Sequence, residues 1–365
     1  MRRKLWFSIL ALAVVNLAAA LLPDTAPAGE LPTTFHYKVL APIRHGNLSI
    51  FPVVTASTHD TQDFLTLDEG LRSGEVVVSE SGSIAPLIRP RDGHAHPLPS
   101  GGAQVNQLVL VNNSKRPLIL LAGEIVTGGR QDRVIGKDRL VPAESDPIDL
   151  GVFCVEPGRW TGPKMSFDSA GSPMAAPAVR AKAMADKDQQ KVWSEVRNSQ
   201  VAMAAAVPGP AAGGVISGTT SYAKVMQNDE VKQKVDSVAE PIQHDYQSLI
   251  RQLRERNAVG VVVAVNGEVI WADVFASTGL LEKYWPKLVR SYAAEAIVTK
   301  TADAGVDIKS AQQFLDDLEG RRETVETEPG LYRHTEITGD GFKAFELTSL
   351  LPKTGFDLHM AKMAE

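Results

Sequence analysis

Asn266-Gly267 is the pair that most constrains this chain. It lies between two runs rich in β-branched residues, Val259 to Val265 and Val269 to Phe275. A type I′ turn matches the twist of paired strands but needs φ > 0 at both central residues, and Asn-Gly meets that need. The pair predicts an antiparallel hairpin over 259–275. The flanks read as helix. Ile242, Tyr246, Leu249, Ile250 and Leu253 recur on one helical face. Pro241 is placed at the start of that helix, where a missing N–H costs little. Tyr284 to Val298 reads as a second helix with Leu288, Val289, Tyr292, Ala296 and Ile297 inward. Ser310 and Gln313 form a capping-box pattern that opens a helix over 311–318. The tail from 323 to 359 returns to short strands.

Upstream, residues 35–160 read mainly as strands. Leu48 to Val54, Val76 to Val78, Leu140-Val141 and Ile148 to Val155 are apolar and β-rich, with a short helical turn over 68–72. Gln107 to Val111 and Leu118 to Leu121 are separated by Asn112-Asn113-Ser114-Lys115, which predicts a second hairpin. A polar loop spans 81–102. From Thr161 to Ser221 the composition shifts to Ala, Gly, Pro, Ser and Met. A helix is expected over 181–205 and a mobile loop over 204–218. The expected organisation is a β-rich half (29–160), a mobile middle with one helix (161–221), a helix–hairpin–helix half (222–300) and a C-terminal helix with short strands (301–365). The fold class is α+β, with a mainly antiparallel N-terminal region and the helix–β-hairpin–helix half packed on it.

The first 28 residues read as an address. Arg2-Arg3-Lys4 precedes an apolar run from Leu5 to Leu22, and Ala26-Pro27-Ala28 fits a small-x-small cleavage site. The expected mature chain begins near Gly29 and is exported, periplasmic or extracellular. The rival is a retained membrane anchor, because the run approaches the lower limit of a span. The whole chain carries a formal charge of −5. Without residues 1–28, which hold three positive charges and one negative, it is about −7, so nucleic acid is not an expected partner. A single cysteine rules out an internal disulfide.

Chemistry-bearing residues concentrate in two stretches at strand ends, where a rigid sheet can present groups on loops. The first is Gly123-Glu124-Ile125-Val126-Thr127-Gly128-Gly129-Arg130-Gln131-Asp132-Arg133-Val134. The second is Cys154-Val155-Glu156-Pro157-Gly158-Arg159-Trp160. Together they resemble the ARG and rhodanese-phosphatase-superfamily-associated protein domain family, through Gly123, Glu124, Gly128, Gly129, Gln131, Arg133 and Val134, then Cys154, Val155, Glu156, Gly158, Arg159 and Trp160. The resemblance extends over most of 35–300, including Trp193, the hairpin and the helix bearing Trp285. It implies a shared fold and no particular reaction.

Glu124 and Glu156 are the candidate catalytic carboxylates, and Gln131, Arg133, Arg159 and Trp160 the candidate ligand-binding residues. The same four charges also read as internal ion pairs, since a guanidinium bonds a carboxylate bidentately. Trp160 reads as core ahead of stacking platform. Cys154 reads as a buried, inert thiol ahead of a nucleophile, because nothing after Arg159 resembles a helix N-terminus that would lower its pKa. His94-Ala95-His96 has no third ligand close in sequence, so neither a metal nor a cofactor is expected. The favoured function is a non-catalytic binding module for a small anionic ligand or a protein partner. The rival is a hydrolase or transferase acting on an ADP-ribose-like or phosphorylated ligand, with Glu124 or Glu156 as base and Arg133 or Arg159 as anion clamp. An enzyme would open both carboxylates to one cleft.

Overall fold

In the computed structural model the Asn-Gly pair turns as its sequence requires, with φ of 54° at Asn266 and 81° at Gly267. The strands Asn257–Val265 and Glu268–Phe275 pair antiparallel through Val265 and Glu268. The structure describes residues 36–81, 103–160, 166–169, 174–207, 209–253, 256–299, 305–328, 330–352 and 354–365. The 1–28 leader, nearly all of the 81–102 loop and the His94/His96 pair lie outside them. Residues Phe35–Glu365 form one unit.

The hairpin is the centre of a nine-stranded sheet. Its order is Lys38–Val39, Leu48–Thr55, Asn257–Val265, Glu268–Phe275, Asp357–Ala364, Phe342–Ser349, Tyr332–Gly339, Arg321–Glu328, with Ile43–His45 also pairing to Leu48–Thr55. Among the described residues every strand pairing in it is antiparallel. The valines of Asn257–Val265 run without alternation because both faces of that strand are covered. Val261 and Val263 join Leu48, Ile50 and Trp271 under the helices Asp229–Gln252 and Thr278–Val298. Val262 and Ala264 face Phe51, Ala311 and Leu315, the last two from the helix Ile308–Asp316. Lys362 is fully buried there, and its ammonium donates to the carbonyls of Phe314 and Asp317 at the C-terminal end of that helix. A cation at that end complements the helix dipole. Among the described residues no helix is long and apolar enough to cross a membrane.

Two smaller sheets pack on each other around Leu65, Val78, Leu110, Leu120, Val126, Ile135 and Val152. One has six strands in the order Phe167–Asp168, Ile125–Gly128, Arg133–Ile135, Ile148–Cys154, Gln107–Asn112, Val76–Ser79. The other has three, Arg139–Val141, Leu118–Leu120 and Leu65–Thr66, the last pair parallel. Helices and antiparallel sheets in segregated blocks make the protein α+β.

Several expectations are corrected. Gln107–Asn112 and Leu118–Leu120 do not form a hairpin; they belong to different sheets. The Asn112 carboxamide donates to the carbonyls of Arg116 (2.7 Å) and Pro142 (2.9 Å) and so turns the chain from one sheet into the other. Pro241 lies inside a helix that begins at Asp229, because the apolar stripe starts at Val231 and continues through Val235, Ala239, Ile242 and Tyr246. Asn228 caps that helix by accepting from the N–H groups of Glu230 and Val231. Asp307, not Ser310, caps Ile308–Asp316. The helix expected over 181–205 is broken into Pro177–Ala181, a π-helical turn Lys182–Asp186 and Gln189–Ala206. Lys187 takes a left-handed φ of 52°, and Asp188 caps the new start. The stretch expected as a loop contains the helix Pro210–Gly218, anchored by buried Ile216, with proline in its first turn. The tail strands are eight residues each, longer than their sequence suggests.

Candidate functional site

Glu124 closes a tight turn ahead of the strand Ile125–Gly128. That turn needs Gly123: φ is +95°, and a Cβ there would lie 2.6 Å from Arg180 Cγ. Glu124 is completely buried. One of its oxygens accepts from the Leu121 N–H at 2.8 Å and the other from Lys287 at 3.2 Å. Lys287 is shared with Asp68 at 2.7 Å. Burial pushes the Glu124 carboxyl up, and Lys287 opposes that push. No arginine pairs with it, so the expected Glu124–arginine tie is absent among the described residues.

The rest of the two stretches does meet. The Asp132 carbonyl accepts from the Val155 N–H at 3.1 Å. Glu156, 2% exposed, accepts from the Asp132 N–H at 3.1 Å and from Arg159 at 2.6 Å. The Asp132 carboxylate accepts from the Ser221 hydroxyl at 2.6 Å and from the Gly128 N–H at 3.2 Å. Burial raises the Asp132 carboxyl against the pull of the Ser221 bond. Gln131 donates to the Glu156 carbonyl at 3.2 Å. Burial alone would lower the Arg159 guanidinium, but its bond to Glu156 holds it above its ordinary value.

Arg133 is fully buried, and its strongest bonds go to the carbonyls of Val105 and Gln131, both at 2.7 Å. It is a backbone clamp, with no carboxylate hydrogen-bonded to it among the described residues, and burial lowers its pKa. Gly129 has φ of +48°, and a Cβ there would come within 2.2 Å of the Phe167 ring. This close approach brings Arg130 to Glu80, whose carboxylate accepts the Arg130 N–H at 2.8 Å.

Trp160 is 37% exposed and is not core. The guanidinium carbons of Arg130 and Arg133 lie 5.5 Å and 5.9 Å from its ring centroid, within cation–π range. Cys154 is buried, its sulfur accepts the Glu156 N–H at 3.3 Å, and burial pushes its thiol up. Gln189 clamps its backbone with two 2.9 Å bonds. A raised thiol pKa removes the thiolate a nucleophile needs.

A cluster that no motif announces lies deeper. Asp138, Arg180, Asp273 and His359 are all fully buried. Arg180 forks onto Asp273 at 2.9 and 3.0 Å and stacks over Trp271. His359 bridges Asp138 at 2.5 Å and Asp273 at 3.1 Å, and Tyr292 donates to Asp273. Asp138 also accepts the Ala122 N–H at 2.7 Å, next to the Gly123-Glu124 turn. Two carboxylates, one guanidinium and one protonated imidazole sum to zero, so the cluster ties the sheets together. Its sequence signals were a lone Asp273 in an apolar strand and a lone His359 in the tail. Among the described residues no set of three or more His, Cys, Asp or Glu side chains is placed to hold a metal ion.

The chain belongs to the ARG and Rhodanese-Phosphatase-superfamily-associated Protein domain family, whose model matches residues 36–361. The match runs past residue 300 and through the tail strands. Searches of curated proteins and of solved structures each returned no match.

Proposed function

We propose that this protein is an exported, non-catalytic binding module that offers Trp160, with Arg130 and Arg133 against its ring and Arg159 and Lys224 on the neighbouring Glu156, to an anionic small ligand or an acidic protein surface. The observation that carries this reading is the 37% exposure of Trp160 beside two guanidinium groups. An exposed indole with fixed cations around it supplies stacking area and charge together. Lys224 extends the rim, 61% exposed and 3.9 Å from Glu156. The two candidate carboxylates speak against the catalytic alternative. Glu124 is sealed under Lys287 and Glu156 under Arg159, whereas a general base must reach a substrate proton.

The test is ligand-dependent thermal shift and tryptophan fluorescence with ADP-ribose, inorganic phosphate and an acidic peptide as probes. A native-state ligand raises the melting point by mass action. At least one anionic probe should do so, and Trp160→Ala should abolish the effect while the unliganded melting point stays put. Turnover of any probe that Glu124→Gln or Glu156→Gln eliminates would overturn the non-catalytic reading. For export, N-terminal sequencing of protein recovered outside the cytoplasm should begin at or near Gly29. Intact Met1 on membrane-bound protein would establish an anchor instead.

A further inference from the structure

A cavity of about 430 Å³ opens between the end of the six-stranded sheet and the tail sheet. This volume is in the range of small-molecule pockets. Its walls come from places that the sequence keeps far apart. The strand Ile148–Cys154 gives Gly151 and Phe153, the bend after Arg133–Ile135 gives Gly136, and Tyr332–Gly339 gives His334 and Glu336. Lys187, which closes the π-helical turn Lys182–Asp186, adds to the wall.

The cavity holds an unmet hydrogen-bonding need. His334 is only 2% exposed, yet its Nδ1 has no hydrogen-bond partner. Glu336 Oε1 lies 3.9 Å from it, beyond hydrogen-bond reach. Lys187 fixes that same oxygen at 2.5 Å, from a left-handed φ of 52° that is unusual for a residue with a side chain. The π turn before it is a rare element that recurs at functional sites. A single oxygen placed about 2.8 Å from each reaches Nδ1 and Glu336 together. Burial disfavours the charged imidazole, and the carboxylate beside Nδ1 favours the tautomer with the proton on that nitrogen. The bridging oxygen must then accept from Nδ1–H and donate to Glu336. A hydroxyl does both. A carboxylate cannot donate and would set a second negative charge beside Glu336, while an indole or ammonium N–H cannot accept.

Phe153 supplies the apolar partner. A Cβ on Gly136 would lie 2.7 Å from Cε2 of its ring, so the glycine leaves that side of the ring bare. At the exposed Gly151 a Cβ meets no atom within 4 Å, which keeps the mouth of the cavity open. A flat ring entering there packs against Phe153 in the offset or edge-to-face manner aromatic pairs prefer. We infer that this cavity binds a small uncharged aromatic alcohol, its hydroxyl bridging His334 Nδ1 and Glu336 and its ring against Phe153. The site is separate from the Trp160 rim, and its failure would not touch that proposal.

Calorimetric titration of the full chain with phenol, toluene and benzoate tests it. Phenol should bind saturably. Toluene, the same ring without the hydroxyl, should bind at least about tenfold more weakly, since a hydrogen bond to a charged acceptor is stronger than a neutral one. Benzoate should also bind more weakly than phenol. His334→Phe keeps an aromatic ring in place and should bring phenol down to the level of toluene. Gly151→Val puts a side chain into open space at the mouth, so it should weaken phenol and toluene alike while the melting point is kept. Trp160→Ala should leave phenol binding unchanged. No saturable phenol binding, equal binding of phenol and toluene, tighter binding of benzoate, wild-type phenol affinity in a folded His334→Phe or Gly151→Val, or loss of phenol binding in Trp160→Ala would each overturn the proposal.

Discussion

His359 makes this protein's stability depend on alkaline pH. The imidazole is fully buried between Asp138 and Asp273. Burial by itself would lower its pKa, but the Asp138 and Asp273 bonds raise it to about 9 from an ordinary 6.5. That change corresponds to about 3 kcal/mol of preference for the protonated form in the folded state. A raised folded pKa places the full stabilisation below pH 6.5 and removes it as pH climbs through 9. The reason is charge balance. With His359 neutral, Arg180 alone faces two buried carboxylates, and Asp138 keeps only the Ala122 N–H and the neutral ring as partners.

The perturbation is His359→Gln, read by urea unfolding followed by tryptophan fluorescence at pH 6.5 and pH 9. The stability gap between wild type and variant should shrink by about 3 kcal/mol from the lower pH to the higher. The comparison cancels other groups that titrate in this range. Lys362 is one, since burial lowers it to about 8 and its contribution has the opposite sign, rising above that pH. His334 is another, lowered by burial, and its cost grows as pH falls below 6.5. A gap that stays constant between pH 6.5 and pH 9 would falsify the charge-balance account, whatever its size. At the acid end Asp138 and Asp273 are both held below their ordinary range, and stability is lost as pH falls through those depressed values.

Three further outcomes follow from the same contacts. Glu124→Gln removes a fully buried carboxylate and leaves Lys287 to Asp68 alone, so a loss of about 3–5 kcal/mol is expected in denaturant unfolding; a near-neutral variant would mean that Lys287 already leans to Asp68. In the Glu156–Arg159 pair the arginine is 28% exposed and its side is screened. Arg159→Met should therefore cost about 1–2 kcal/mol and Glu156→Gln about 2–3, with the double variant less destabilised than the sum; strict additivity in that cycle would dissolve the pair. Cys154 should react with a thiol reagent slowly in the folded protein and rapidly in urea, as its burial and raised pKa require, and rapid labelling of the native protein would refute this.

Legibility in the sequence followed distance along the chain. The Asn266-Gly267 turn and the inward faces of the two long helices depend on residues a few positions apart, and both stand where periodicity put them. The helix starts were misread because the deciding residue lay one turn or more upstream: Asp307 ahead of Ser310, and Asn228 with Val231 ahead of Pro241. The apolar runs before and after Asn112 looked like a hairpin because the bond that separates them reaches Pro142, 30 residues on. A local window contains no trace of that bond.

The site divides along the same line. The Glu156–Arg159 tie is legible because its members sit three residues apart in the loop that follows one strand, while Asp132, which the charge pattern does not single out, joins them in one knot from the loop before the adjacent strand, where Cys154 pairs directly with Arg133. Glu124 was assigned to the same knot on charge alone, and the structure sends it to Lys287, 163 residues away on the helix Thr278–Val298. The two glutamates therefore do different jobs. Glu156 stitches the loops beside Trp160, while Glu124 and the neighbouring Ala122–Asp138 bond tie the small sheets to the helix and to the large sheet. The glycine before Glu124 belongs to the second job: only a residue without a Cβ lets Arg180 pass close enough to reach Asp273. The Gly123-Glu124 turn is thus a joint between sheets, and the surface proposed above to meet a ligand begins some residues later, at the Gly128-Gly129 bend, where Arg130 lies over Trp160.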